Sequence, residues 1–189
     1  MADQYGVPDA LFGPIDEALP ALIGRIVMVS AMIEYQVAAM AGSVQDLESN
    51  RYFAQDPARN FGVCKRLFRY FTSPAHLHQL SVGKEYLSRA KALLAERNEI
   101  VHRVWSVTAG DTWGGHKGQR GPGSKNTIDD GWRYNSARLE QLLTTMTDLC
   151  EFGARTALPS ILALPRLPTP WADGIWPTRA NPSKADPAV

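Results

Sequence analysis

Between Leu19 and Val44 the chain is apolar almost throughout, with Arg25, Glu34 and Gln36 as its main interruptions. Inside that stretch Leu22, Ile26, Val29, Ile33, Val37, Met40 and Val44 recur at steps of three and four. Ile23, Val27 and Met32 broaden the stripe. This period belongs to a helix, and a broad apolar face needs neighbours on more than one side. A bilayer span requires roughly 20 nearly uncharged residues. The interruptions therefore favour a buried central helix with no membrane partner.

Proline divides the rest. Of 13 prolines, only Pro57, Pro74 and Pro122 fall between residues 21 and 156, while six lie in 165–189. The reading is one helical domain over 1–164 and a Pro-rich tail over 165–189, expected to be extended or disordered. Trp171, Ile175 and Trp176 are the tail residues able to dock on a surface. Helices are expected at about 18–45, 58–73, 79–104 and 136–158. The second carries Phe61, Cys64, Phe68 and Phe71, and the third Leu87, Ala90, Leu94, Val101 and Val104. Leu139, Leu142, Met146 and Leu149 mark the fourth, with Ser136 as its expected N-cap. Between the third and fourth, WSVTAGDTW alternates weakly and GGHKGQRGPGSKN is glycine-rich. Residues 105–135 are thus expected to form a β-hairpin-like or irregular loop insertion. The fold class is all-α, a four-helix up-and-down bundle with one insertion.

Charge and cysteine content exclude several functions. Lys plus Arg is 20 against 19 for Asp plus Glu, a net charge of +1, so the chain does not coat nucleic acid by bulk charge. Cys64 and Cys150 form no Cys-x-x-Cys unit, which suits a reducing compartment. The opening MADQYGVPDALFG lacks a basic segment followed by a long apolar one, so a cytoplasmic protein is expected. His76 and His78 form a His-x-His without a well-spaced third ligand, and no metal or other cofactor is expected. GQRGPGSK, residues 118–125, lacks the Gly-Lys-Ser/Thr order of a phosphate-binding loop. No Gly-x-Ser-x-Gly occurs.

The chemistry-bearing stretch is ALLAERNEIVHRVW, residues 92–105. Arg97 brings a permanent charge and a planar fork of donors suited to phosphate oxygens. At His102 stands the one side-chain type whose unperturbed pKa, about 6.5, permits proton transfer both ways near neutrality. Asn98 precedes His102 by four positions and falls on nearly the same helical face. A base, a phosphate holder and a hydrogen-bonding amide suffice for phosphodiester cleavage without metal.

Arg97-Asn98 with His102 resembles the active motif of the HEPN family, α-helical proteins many of which are metal-independent endoribonucleases. The family pattern is Arg, four to six intervening residues and His, often with Asn, Asp or His directly after Arg. Arg69 and His76 also have a permitted spacing, but Pro74 excludes them from one continuous helix. Beyond the motif the resemblance is architectural, covering about residues 20–158. It implies 2′-hydroxyl attack on the adjacent phosphate, leaving a cyclic phosphate. His102 would act as base, Arg97 as phosphate holder and Asn98 as positioning residue. It also implies a homodimer, because five helical positions separate Arg97 from His102 by about 7.5 Å and about 140°. A two-fold axis would assemble both motifs around one phosphate. The expected setting is a toxin of a toxin–antitoxin pair or an antiphage-defence effector, with a possible antitoxin or regulatory protein partner.

A packing account competes with this one. Arg97 could pair with a carboxylate on a neighbouring helix such as Glu34, leaving His102 as a polar boundary residue. Glu34 is otherwise expected at a water-exposed edge, and Glu99 to pair with Arg103. Glu34 and Glu99 are the candidate carboxylates behind the site. A non-catalytic RNA- or nucleotide-binding or dimerising module is the alternative function. Arg59, Arg66 and Arg69, with Lys65 at the edge, fall near one face of the second helix and are candidate RNA contacts. Lys117, Arg120 and Lys125, in the loop between Trp113 and Trp132, are further candidates. A solvated helix face and an ordinary surface loop are the commoner explanations of these two groups.

Overall fold

The computed structural model describes residues 18–44, 56–102, 104–109, 112–116 and 132–165. The described chain is predominantly helical. α1 spans Ala18–Val44, α2 Pro57–Leu67, α3 Leu77–Val101, α4 Ser136–Phe152 and α5 Leu158–Leu162. The tail beyond Pro165 lies outside the described residues, as does the loop carrying Lys117, Arg120 and Lys125.

α1 contacts α2, α3, α4 and α5. Ile26, Ile33, Val37 and Met40 on it are fully buried, each contributing about 1.5–3 kcal/mol by leaving water. The facing helices supply Leu67, Tyr86, Leu139, Met146 and Leu149 to the same core. On one face of α1, Met28, Met32 and Tyr35 are all more than half exposed. By length and composition alone α1 could cross a membrane.

Local chemistry sets the helix ends, and several expected boundaries need correction. Asp56 caps α2, its Oδ1 accepting from the Ala58 N–H at 2.8 Å, and Pro57 fits the first turn because its missing N–H has no helical partner there. α2 stops at Leu67, six residues before the expected end. Phe68 and Phe71 keep helical spacing and are buried, but from the turn and the irregular backbone that follow the helix. A short 3-10 turn, Pro74–His76, capped by Ser73, then feeds α3. α3 ends at Val101, not 104.

The insertion contains a three-stranded antiparallel sheet, β1 (Val104–Ala109), β2 (Thr112–His116) and β3 (Trp132–Asn135), in that order. Trp105 opposes Gly115 in the first pair, and Gly115 opposes Trp132 in the second. The expected hairpin is β1–β2, and β3 adds a strand before α4. Asn135, not Ser136, caps α4: its Oδ1 accepts from the Arg138 N–H at 2.9 Å.

α4 also departs from a single helix over 136–158. After Phe152 it widens into a π turn, Gly153–Ala157, and resumes as α5. Two causes coincide there. Pro159 cannot donate to the ladder and crowds the preceding turn. Gln36 of α1 also reaches in, its Nε2 donating to the Cys150 carbonyl at 2.9 Å while its Oε1 accepts from Tyr86 Oη at 2.6 Å. Gly153 is the residue this approach requires, because a Cβ there would collide with Gln36 Oε1 and lie 2.7 Å from Tyr86 Cε2.

Candidate functional site

The last turns of α3 carry Arg97, Asn98 and His102, and the surrounding packing disposes them differently. Ile100 is fully buried and anchors the helix end. Its carbonyl, left without a helical partner at the terminus, accepts from Trp105 Nε1 at 2.9 Å. Trp105 packs edge-on against Tyr134 at 5.6 Å, so the sheet clamps the end of α3.

His102 is the first residue off that end, its backbone N–H donating to the Asn98 carbonyl at 3.2 Å. The expectation that it lies within the helix is corrected to a C-cap position. Its side chain is solvent-exposed, and so is that of Asn98 one turn earlier.

Arg97 faces another way. Its Nη2 donates to Glu34 Oε1 of α1, in a contact where the two side chains are 17% and 28% exposed. Glu34 was expected at a water-exposed edge. It is half-buried because α1 and α3 bring it against the guanidinium. Arg97 Nε is buried with no hydrogen-bond partner among the described residues. Glu99 is half-buried, and Arg103, its expected partner, lies outside the described residues.

Arg97, Glu34 and Asn98 line a cavity of about 610 Å³ between α1, α2 and α3, with Phe61 and Lys65 on its α2 side. His102 is not in its wall, as the rotation of about 140° from Arg97 requires. A second cavity, about 720 Å³, adjoins it and shares Lys65, Lys91 and Ala95. It adds Arg69 and Lys84.

Only part of the expected basic stripe on α2 is brought to these cavities. Arg69 sits in the turn beyond the helix and lines the second cavity, whereas Arg59 and Arg66 are exposed and line neither. Lys84 and Lys91 were not anticipated. The signal was their seven-residue spacing on α3, continued by Asn98, which places all three on one face.

The remaining candidates line neither of these cavities. His76 meets the Phe71 ring edge-on at 5.8 Å, and among the described residues no three metal-ligating side chains come together. Cys64 is buried, and burial pushes its thiol up to about 12. The half-buried Cys150 thiol is also pushed up by burial. Neither is an activated nucleophile. No family model, curated protein or solved structure matches this chain.

Proposed function

We propose that this protein is a metal-independent, HEPN-like endoribonuclease acting as a homodimer, with RNA as its substrate. The observation that carries the reading is the disposition of the motif. His102 and Asn98 are exposed at a helix end, while Arg97 is held on a cavity wall by Glu34. None of the three is sealed in the core, and the imidazole is free to meet a ribose 2′-hydroxyl.

Within this reading His102 removes the 2′-hydroxyl proton as that oxygen attacks phosphorus. The bond to the 5′-oxygen breaks, and the imidazolium of the second protomer protonates the leaving oxygen. Arg97 balances the charge that builds on the phosphoryl oxygens. Asn98 positions the imidazole or the scissile group. The products are a 2′,3′-cyclic phosphate and a 5′-hydroxyl. Because Arg97 and His102 face different ways on one helix, two motifs must approach across a two-fold axis. The exposed Met28, Met32 and Tyr35 of α1 give such a dimer apolar surface to bury. An up-and-down HEPN-like bundle, a cytoplasmic setting, a toxin or antiphage-defence role and control by an antitoxin or other regulatory protein complete the proposal.

The test compares RNA with an all-deoxy copy of the same sequence, using wild type and His102→Ala. Wild type cuts only the RNA, and the variant cuts neither. Cutting of both nucleic acids overturns 2′-hydroxyl chemistry.

The Glu34–Arg97 pair favours a second reading, because a guanidinium engaged inside its own chain also serves packing. The protein would then be a non-catalytic RNA- or nucleotide-binding or dimerising module. RNA binding that survives Arg97→Ala, without cleavage by wild type, identifies that case.

A further inference from the structure

We infer that the two joined cavities between α2 and α3 form one cationic groove that binds the phosphate backbone of single-stranded RNA and leads it to Arg97 and Asn98. This rests on the ribonuclease reading for the identity of the anion, but its physical basis is separate. Lys65 and Arg69 stand on the α2 side and Lys84 and Lys91 on the α3 side. All four side chains are exposed, and among the described residues none forms an ion pair.

Among the described residues the neighbouring carboxylates are engaged. Glu34 holds Arg97, Glu85 pairs with Arg89, and Glu96 pairs with Arg138 at 2.8 Å. Asp56 caps α2. A chain of net charge only +1 thus gathers along one groove four cations that have no ion-pair partner among the described residues. Clustered like charges repel, and a polyanion relieves that repulsion while releasing its own counterions.

The geometry suits a strand. From Lys84 to Arg97 the axis of α3 advances about 20 Å, room for several nucleotides. Phe61, half-buried in the wall shared with Arg97, offers an aromatic surface to a base at the motif end. At that end lie the guanidinium and the amide that the ribonuclease reading needs beside the scissile phosphate.

The experiment measures binding of a labelled oligouridine RNA, about 20 nucleotides long, by fluorescence anisotropy over a range of salt. The parent is His102→Ala, so that cleavage does not intervene. Each phosphate contact on a single strand contributes about −0.7 to the slope of log affinity against log salt. Lys84→Ala with Lys91→Ala is expected to make that slope shallower by about 1.4, and to weaken binding at least about tenfold at low salt. Lys65→Ala with Arg69→Ala should do the same. Arg25→Ala, at an exposed cation on α1 lining neither cavity, should do neither. The lysines and Arg69 are surface residues, and unchanged thermal melts exclude misfolding as the cause. Absence of RNA binding by the parent, or unchanged affinity and slope in both double variants, overturns the groove. Binding that depends on these cations, with no cleavage by wild type, keeps the groove and removes the ribonuclease. Cleavage by wild type with indifferent double variants does the reverse.

Discussion

Arg97 of α3 and Glu34 of α1, 63 positions apart in sequence, meet as an ion pair on the wall of a cavity. The contact joins the central helix to the helix that carries the candidate catalytic motif. It fixes where the guanidinium points and offsets its charge until a stronger anion competes.

The pair should be measurable as a coupling. Glu34→Gln and Arg97→Gln are each expected to destabilise by about 1–2 kcal/mol, since both side chains are mostly withdrawn from water. The double variant should cost less than their sum by at least about 0.5 kcal/mol. Denaturant melts of the four proteins check this, and strict additivity contradicts the pairing.

Gly153 tests the π turn. Gly153→Ala places a methyl group onto Gln36 Oε1 and against Tyr86, and about 1–3 kcal/mol of destabilisation is expected. In a Gln36→Ala background the same substitution should cost clearly less. Equal losses in both backgrounds would show that Gln36 does not occupy this space.

Tyr86→Phe removes the hydroxyl that donates to Gln36 Oε1. The amide oxygen is then buried without that donor, so the expected cost is about 1–3 kcal/mol. Calorimetry checks the loss, and a neutral or stabilising result contradicts the network.

Cys64 should be inert in the folded protein. Its thiol is raised from an ordinary value of 9.0 to about 12, with burial the largest cause. The native state therefore keeps a proton that the unfolded chain releases from about pH 9. Stability from this group is fully present below pH 9 and falls as pH rises toward 12. Iodoacetamide at pH 8 should leave Cys64 unmodified in native protein and label it after denaturation. Rapid native labelling contradicts the burial.

The helical class was legible because its signals are local. The apolar period of α1 and the turn chemistry at Pro57 and Pro74 depend on few neighbours. The end of α2 was not, since Phe68 and Phe71 continue the helical spacing after the backbone has left the helix. A pattern of apolar residues reports burial, and burial does not require a helix. The Glu34–Arg97 pair depends on how α1 and α3 align, which neither segment specifies alone. Gly153 is explained only by Gln36 and Tyr86, on two other helices. At the site, the residue types of Arg97, Asn98 and His102 were readable, but the helix end that turns His102 outward is held by Trp105. The groove became visible only when α2 and α3 brought Lys65 and Arg69 opposite Lys84 and Lys91.

The most direct test of the central claim is cleavage of an end-labelled RNA pool in excess EDTA by wild type, His102→Ala and Arg97→Ala. All three are first shown to be folded and in the same oligomeric state. The account predicts cleavage by wild type alone, with fragments ending in 2′,3′-cyclic phosphate and beginning with 5′-hydroxyl. Equal cleavage by all three proteins, or wild-type activity that EDTA abolishes, would contradict it.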